Sequence, residues 1–183
     1  FSPANIEKAI NELEISSQQI SNSGLLKINE KLSDKFKLGA SFEENINGTK
    51  KSFSLRYIDF ENIENNTFSI SDEFSVRRCK VDKDKEHRRA DLVLFINGIP
   101  FVIIELKKSS RSYEFGIKQL EMYQQDSEIA QLFASVQLCI AASYDAKYGT
   151  VKTPNKFYSL WREEGEKLKQ KIQKLIAPRT PTK

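Results

Sequence analysis

Apolar and polar positions recur with two different periods along the chain, and the change of period marks out its elements. Over residues 3–20, Ile6, Ile10 and Leu13 share one face of an expected helix, with Pro3 suited to its first turn. A second helix is expected over 24–38, with Leu25, Ile28, Leu32 and Phe36 facing inward. A polar loop at 43–51, carrying Asn-Gly at 47 and 48, separates these helices from strands expected at 52–59 and 67–77, which an Asn-rich turn joins. Two strongly apolar strands follow at 90–96 and 100–106 around Asn97-Gly98. Helical period returns over 112–124, where Phe115, Gln119, Met122 and Tyr123 fall near one face, and a short helix at 129–133 leads into a buried strand at 135–142. Residues 144–153 are turn-rich. From 158 to 176, Trp161, Leu168, Ile172, Leu175 and Ile176 recur at helical spacing until Pro178 and Pro181 end the pattern. The order predicts one α/β domain over 1–177: a helical part at 1–38, a core at 52–142 and a closing helix at 158–177. Residues 178–183 are left as a tail or the start of a linker.

Composition narrows the class. With 183 residues and 39% hydrophobic content, the chain suffices for one domain with a substantial core. No apolar run reaches membrane-spanning length and no amino-terminal signal pattern is present, so a cytoplasmic protein without membrane contact is the expectation. Two cysteines, Cys79 and Cys139, are too few for a disulfide framework or a thiolate metal site, and Cys139 reads as core. The single histidine, His87, lies in a charged segment, which disfavours histidine-based hydrolysis. A net charge of +4 permits nucleic-acid binding without requiring it. The pairs Arg77-Arg78 and Arg88-Arg89 bracket a charged loop, and Lys107, Lys108 and Arg111 extend a positive margin. This margin reads equally as phosphate contacts or as a solvated loop.

The informative chemistry lies on the apolar strands, where a core has no use for charge. Asp91 opens the first strand, and Glu105-Leu106-Lys107 closes the second. A divalent ion beside a phosphodiester takes hard oxygen ligands on more than one side, and a nearby ammonium can position the attacking water. Glu105 and Lys107 face the same way because strand side chains alternate. A strict two-residue Asn97-Gly98 turn would set Asp91 opposite Ile104, on the wrong face from Glu105. A shared site therefore requires an odd offset, from a three-residue loop at 97–99 or from a bulge. The plainer reading makes Asp91 a strand-edge residue paired with Arg89 or Lys107. On the following helix, Gln119 and Tyr123 are one turn apart; they suit either phosphate or base-edge contacts, or a core aromatic with its polar neighbour.

Several separated motifs occur in order: Asn65-Asn66-x-Phe68, Glu73-Phe-Ser-Val76, Arg89-Ala-Asp-Leu-Val-Leu-Phe-Ile-Asn-Gly-Ile-Pro100, Glu105-Leu-Lys107, Gln119-x-x-x-Tyr123 and Tyr148-Gly-Thr150. Over about residues 55 to 162 they resemble the amino-terminal nuclease domain of the restriction (R) subunit of type I restriction-modification enzymes. The resemblance implies a PD-(D/E)xK restriction-endonuclease-like fold, a central mixed β-sheet flanked by helices. It implies Asp91 and Glu105 as acidic metal ligands, the Leu106 carbonyl as a further ligand, and Lys107 as the catalytic lysine. Gln119 and Tyr123 correspond to the family's Q-x-x-x-Y motif, with Arg88 and Arg89 expected to support DNA binding. The implied cofactor is Mg²⁺, with Mn²⁺ as a substitute. The implied partners are double-stranded DNA and the specificity and methylation subunits of a restriction-modification complex. Family members carry an ATP-driven motor after this domain, so ATP is expected to act only through that motor, which these 183 residues do not include. Related nucleases often draw another acid from an early helix. Here Glu7, Glu12 and Glu14 are available but lack a recognisable flanking motif, and the sequence starts at Phe1 without an initiator methionine. A chain without that acid is expected to hold metal weakly or cleave poorly by itself. The competing expectations are a non-catalytic DNA-binding module and an assembly-docking domain.

Overall fold

The computed structural model describes residues 1–79 and 86–162. Helices α1 (Pro3–Asn11), α2 (Ser17–Ser23) and α3 (Leu25–Leu38) precede a two-stranded hairpin of β1 (Ala40–Ile46) and β2 (Thr49–Leu55). A six-stranded sheet follows in sequential order: β3 (Phe68–Arg77), β4 (His87–Ile96), β5 (Ile99–Leu106), β6 (Leu138–Ala142), β7 (Ala146–Gly149) and β8 (Ser159–Leu160). Only β5 and β6 run parallel; the other neighbours are antiparallel, which makes the sheet mixed. A parallel pair needs a crossover, and here it carries α4 (Glu114–Tyr123) and α5 (Ala130–Phe133). The result is the expected α/β architecture, a central mixed sheet flanked by helices.

The crossover packs on one sheet face. Val93, Ile103, Cys139 and Ala141 are fully buried there, in one core with Ile117 and Leu120 of α4 and Phe133 of α5. The buried Asn29 of α3 donates to the carbonyls of Ala134 and Val136 at 3.0 and 2.7 Å, which ties the amino-terminal helices to the approach of β6. The other face presents Leu92, Leu94, Val102, Ile104, Leu138 and Ile140, all half-buried.

The second expected helix forms with its predicted inward residues, all four buried. The first does not run to residue 20. Ser16 starts α2 with a capping box to Gln19, which offers the backbone a new helix start after a break. Ile6 and Ile10 are 45% and 54% exposed, and Asn5 and Ala9 face inward instead. The cause is tertiary: Asn5 Nδ2 donates to the Glu43 carbonyl and to Glu44 Oε1, so α1 docks on the hairpin through a polar face. The segment 43–51, expected as a loop, is most of that hairpin. Its strands are largely solvent-exposed, so no alternation of apolar residues marks them. Likewise 144–153 contains β7, a strand of four residues, too short for an apolar alternation to mark it. The helix expected over 158–176 begins differently: Ser159 and Leu160 form β8, and the Trp161 amide donates to the Ala146 carbonyl. The rest of that helix and the tail at 178–183 lie outside the described residues.

Candidate active site

The β4–β5 register decides whether the acids meet. Asn97 and Gly98 adopt φ of 52° and 79°, a left-handed pair that makes a two-residue turn and sets Ile96 opposite Ile99. The register then shifts: Phe95 pairs with Pro100, whereas Leu94 pairs with Val102 and Leu92 with Ile104. Phe101 is the extra residue, its ring 6.2 Å from that of Phe36 on α3. Of the two routes open to the sequence, the bulge is the one used. One residue beyond the last paired position, Asp91 comes level with Glu105 on the core-facing side of the sheet.

Glu105 is fully buried. Its Oε1 accepts from Lys107 Nζ at 2.6 Å, and its Oε2 has no hydrogen-bond partner. The same Nζ donates to the Leu106 carbonyl at 3.2 Å and stands 3.9 Å from Asp91 Oδ2. Asp91 Oδ2 also accepts the Leu106 N–H at 2.7 Å, which closes the strand end. Burial pushes the Glu105 pKa up to about 7; the Lys107 hydrogen bond opposes that rise and the nearby Asp91 charge adds to it.

The Lys107 ammonium therefore stands in for a cation on which three oxygens converge: a buried carboxylate, a half-exposed carboxylate and a main-chain carbonyl. All are hard donors, the set that suits Mg²⁺ or Mn²⁺ and not a thiolate or imidazole metal. The unpartnered Glu105 Oε2 leaves further capacity in the same place. The residues fit such an ion. Among the described residues no group of three His, Cys, Asp or Glu side chains converges in this way, so the carbonyl is a necessary member of the set. The early-helix acids stand apart. Glu7 and Glu14 are exposed, while Glu12 is bound by Lys35 and by the Tyr57 hydroxyl. The Tyr57 carbonyl accepts from Asn97, at the hairpin's turn end.

Helix α4 covers the site. A Cβ on Gly116 would lie 3.0 Å from the Ala141 Cβ and 3.5 Å from the Glu105 carbonyl oxygen, so a side chain here would press on β6, and glycine lets the helix lie close to β5 and β6. The buried face of α4 is consequently Gly116, Ile117, Leu120 and Tyr123, and Phe115 is 55% exposed instead of facing inward. At the far end, the buried Tyr123 hydroxyl donates to the Arg89 carbonyl at 2.9 Å and accepts from Gln119 Nε2 at 2.6 Å. This pair grips β4 two residues before Asp91.

The flanking arginines differ from one another. Arg88 binds Glu128 through Nε and Nη2 at 2.6 and 3.1 Å, and Arg78 binds the same carboxylate at 2.7 Å. Arg89 is exposed and pairs with Glu73 at 3.2 Å. Glu128 carried no signal in the sequence, because its partners are 40 and 50 positions away. His87 is the exposed first residue of β4.

The family profile described as "Type I restriction enzyme R protein N terminus" matches residues 3–157. The chain is 32% identical over 126 residues to a Methanocaldococcus jannaschii protein, named as a candidate endonuclease subunit of the type I restriction enzyme MjaIXP; the match covers 67% of this chain and 12% of that one. It is 32% identical over 135 residues to the Haemophilus influenzae type I restriction enzyme HindI endonuclease subunit, covering 72% of this chain and 12% of the relative. The aligned part is thus about an eighth of the length of these relatives. A profile match over most of the chain, on the fold and site just described, means that this protein belongs to the family of type I restriction enzyme R protein N termini.

Proposed function

We propose that this chain is the metal-dependent endonuclease module of a type I restriction enzyme, hydrolysing phosphodiester bonds of double-stranded DNA with a PD-(D/E)xK site. The observation that carries this reading is the convergence of Asp91 Oδ2, Glu105 Oε1 and the Leu106 carbonyl on one ammonium, at 3.9, 2.6 and 3.2 Å. Asp91, Glu105 and the Leu106 carbonyl would hold Mg²⁺, or Mn²⁺ in its place. When bound, the ion neutralises a nonbridging phosphate oxygen and acidifies the attacking water.

The protein's own groups do the rest. Lys107, turned out from between the carboxylates, orients the water in line with the leaving sugar oxygen and offsets charge developing on phosphorus. Glu105 must be ionised for this arrangement, and its burial makes that ionisation depend on a neighbouring cation. Gln119 and Tyr123 hold β4, and so Asp91, in position. Among the described residues no donor-rich element for reading base edges accompanies the site, so sequence choice is assigned to separate specificity and methylation subunits. ATP enters only through a motor elsewhere in the R protein. The setting is cytoplasmic; among the described residues no helix is long and apolar enough to cross a membrane.

The test is cleavage of supercoiled plasmid with Mg²⁺ or Mn²⁺ against EDTA, by the chain alone and joined to the remainder of an R protein, beside Glu105→Gln. Metal-dependent nicking that the variant loses supports the nuclease. No cutting by either form, with duplex binding retained, would make this a non-catalytic DNA-binding module; loss of binding as well would make it a docking domain.

A further inference from the structure

We propose that Lys147 is a phosphate-binding residue of the same site, seating the DNA backbone beside the acidic pair. The inference rests on the nuclease reading and adds to it a residue that none of the site motifs includes.

Lys147 reaches the site through strand pairing. It pairs with Ala141 on β6, and Ala141 pairs with Glu105 on β5. Paired positions on neighbouring strands share a face, so Asp91, Glu105, Ala141 and Lys147 form one row across four strands. The residue between the acid and the lysine is small and fully buried, and α4 passes directly over it at Gly116. At a strand spacing of about 4.8 Å, Lys147 stands about 10 Å from Glu105, within reach of a neighbouring phosphate on the strand being cut.

Its electrostatic situation points to an anionic ligand. The ammonium lies 4.7 Å from the centroid of the Tyr113 ring, at the start of α4. That contact holds a cation in place without neutralising it. Among the described residues Lys147 joins no ion pair, and the nearby acids Asp145 and Glu114 do not pair with it. Lys107, by contrast, is held by both acids of the site. A half-buried, aromatic-fixed and uncompensated lysine in the acid row does what the acids cannot: it attracts the phosphodiester that they repel.

The experiment is fluorescence anisotropy of a short duplex against salt concentration, with Ca²⁺ in place of Mg²⁺, for the full chain and for Lys147→Gln, Lys147→Met and Lys147→Arg. Removing one phosphate contact lowers the slope of log affinity against log salt by about 0.9 and weakens every duplex sequence alike. Lys147→Gln and Lys147→Met are expected to show that loss with their thermal melts unchanged, and Lys147→Arg to restore the slope. Two neutral variants differing in shape guard against a packing effect. A folded neutral variant with the parent slope would overturn the proposal, as would failure of Lys147→Arg to rescue it. If the parent chain shows no salt-dependent duplex binding, the nuclease reading itself fails, an outcome distinct from the first.

Discussion

Replacing Glu105 by glutamine keeps the shape of the side chain and removes its ionisation, and the metal-free protein is predicted to gain stability above pH 7. Burial raises this carboxyl from 4.5 to about 7. Between those values the native protein keeps a proton that the unfolded chain releases, so stability falls as pH rises through that window. The fall is complete once Glu105 ionises in the native state. That difference corresponds to about 3 kcal/mol. Glutamine escapes this cost but leaves Lys107 with Asp91 alone, at 3.9 Å, so the expected net gain is about 1–3 kcal/mol at pH 8. Below pH 4.5 the two proteins should nearly coincide. The assay is urea unfolding in EDTA from pH 4 to 8, comparing midpoints at constant slope. Mg²⁺ should then stabilise the parent at pH 8, by about 2.7 kcal/mol at a hundredfold excess over its dissociation constant, and should not stabilise Glu105→Gln. Parallel pH profiles for the two proteins would refute the argument, because they would mean that Glu105 ionises in the folded state as easily as in water.

The remaining predictions concern the groups around it. Lys107→Ala should abolish cleavage while metal binding, followed by calorimetry with Mn²⁺, is retained or tightened, since the ammonium no longer competes for the three oxygens. Asp91→Asn should remove cleavage but keep an acceptor for the Leu106 amide, so its unfolding midpoint should stay closer to the parent's than that of Asp91→Ala. Glu128→Ala leaves Arg78 and Arg88 without their shared carboxylate and should cost about 3 kcal/mol of stability in denaturant unfolding. Gly116→Val should force α4 away from β5 and β6, costing about 1–3 kcal/mol and lowering cleavage; an unchanged midpoint would mean that the helix is free to shift.

Much of this protein was determined by local sequence. The apolar runs of β4, β5 and β6 and the stripe of α3 have the period of their elements, and burial follows from that period. Charge inside such a run is costly, which is why Asp91, Glu105 and Lys107 stand out in the sequence as candidates for chemistry. Tertiary structure decided what local pattern leaves open. The Asn97-Gly98 turn alone would have parted the acids; the bulge at Phe101, packed on Phe36 of α3, sets them level. Solvent-facing strands such as β1 and β2 bury too little to show a pattern, and α1 turns its isoleucines outward because Asn5 binds the hairpin. Glu128 and Lys147 carry no signal of their own, because Glu128 binds arginines 40 and 50 positions away and Lys147 is linked to Glu105 only through β6, across the β5–β6 crossover. Residue type and spacing set which side chains can do chemistry here, while register and helix docking, which depend on contacts distant in sequence, set which of them meet.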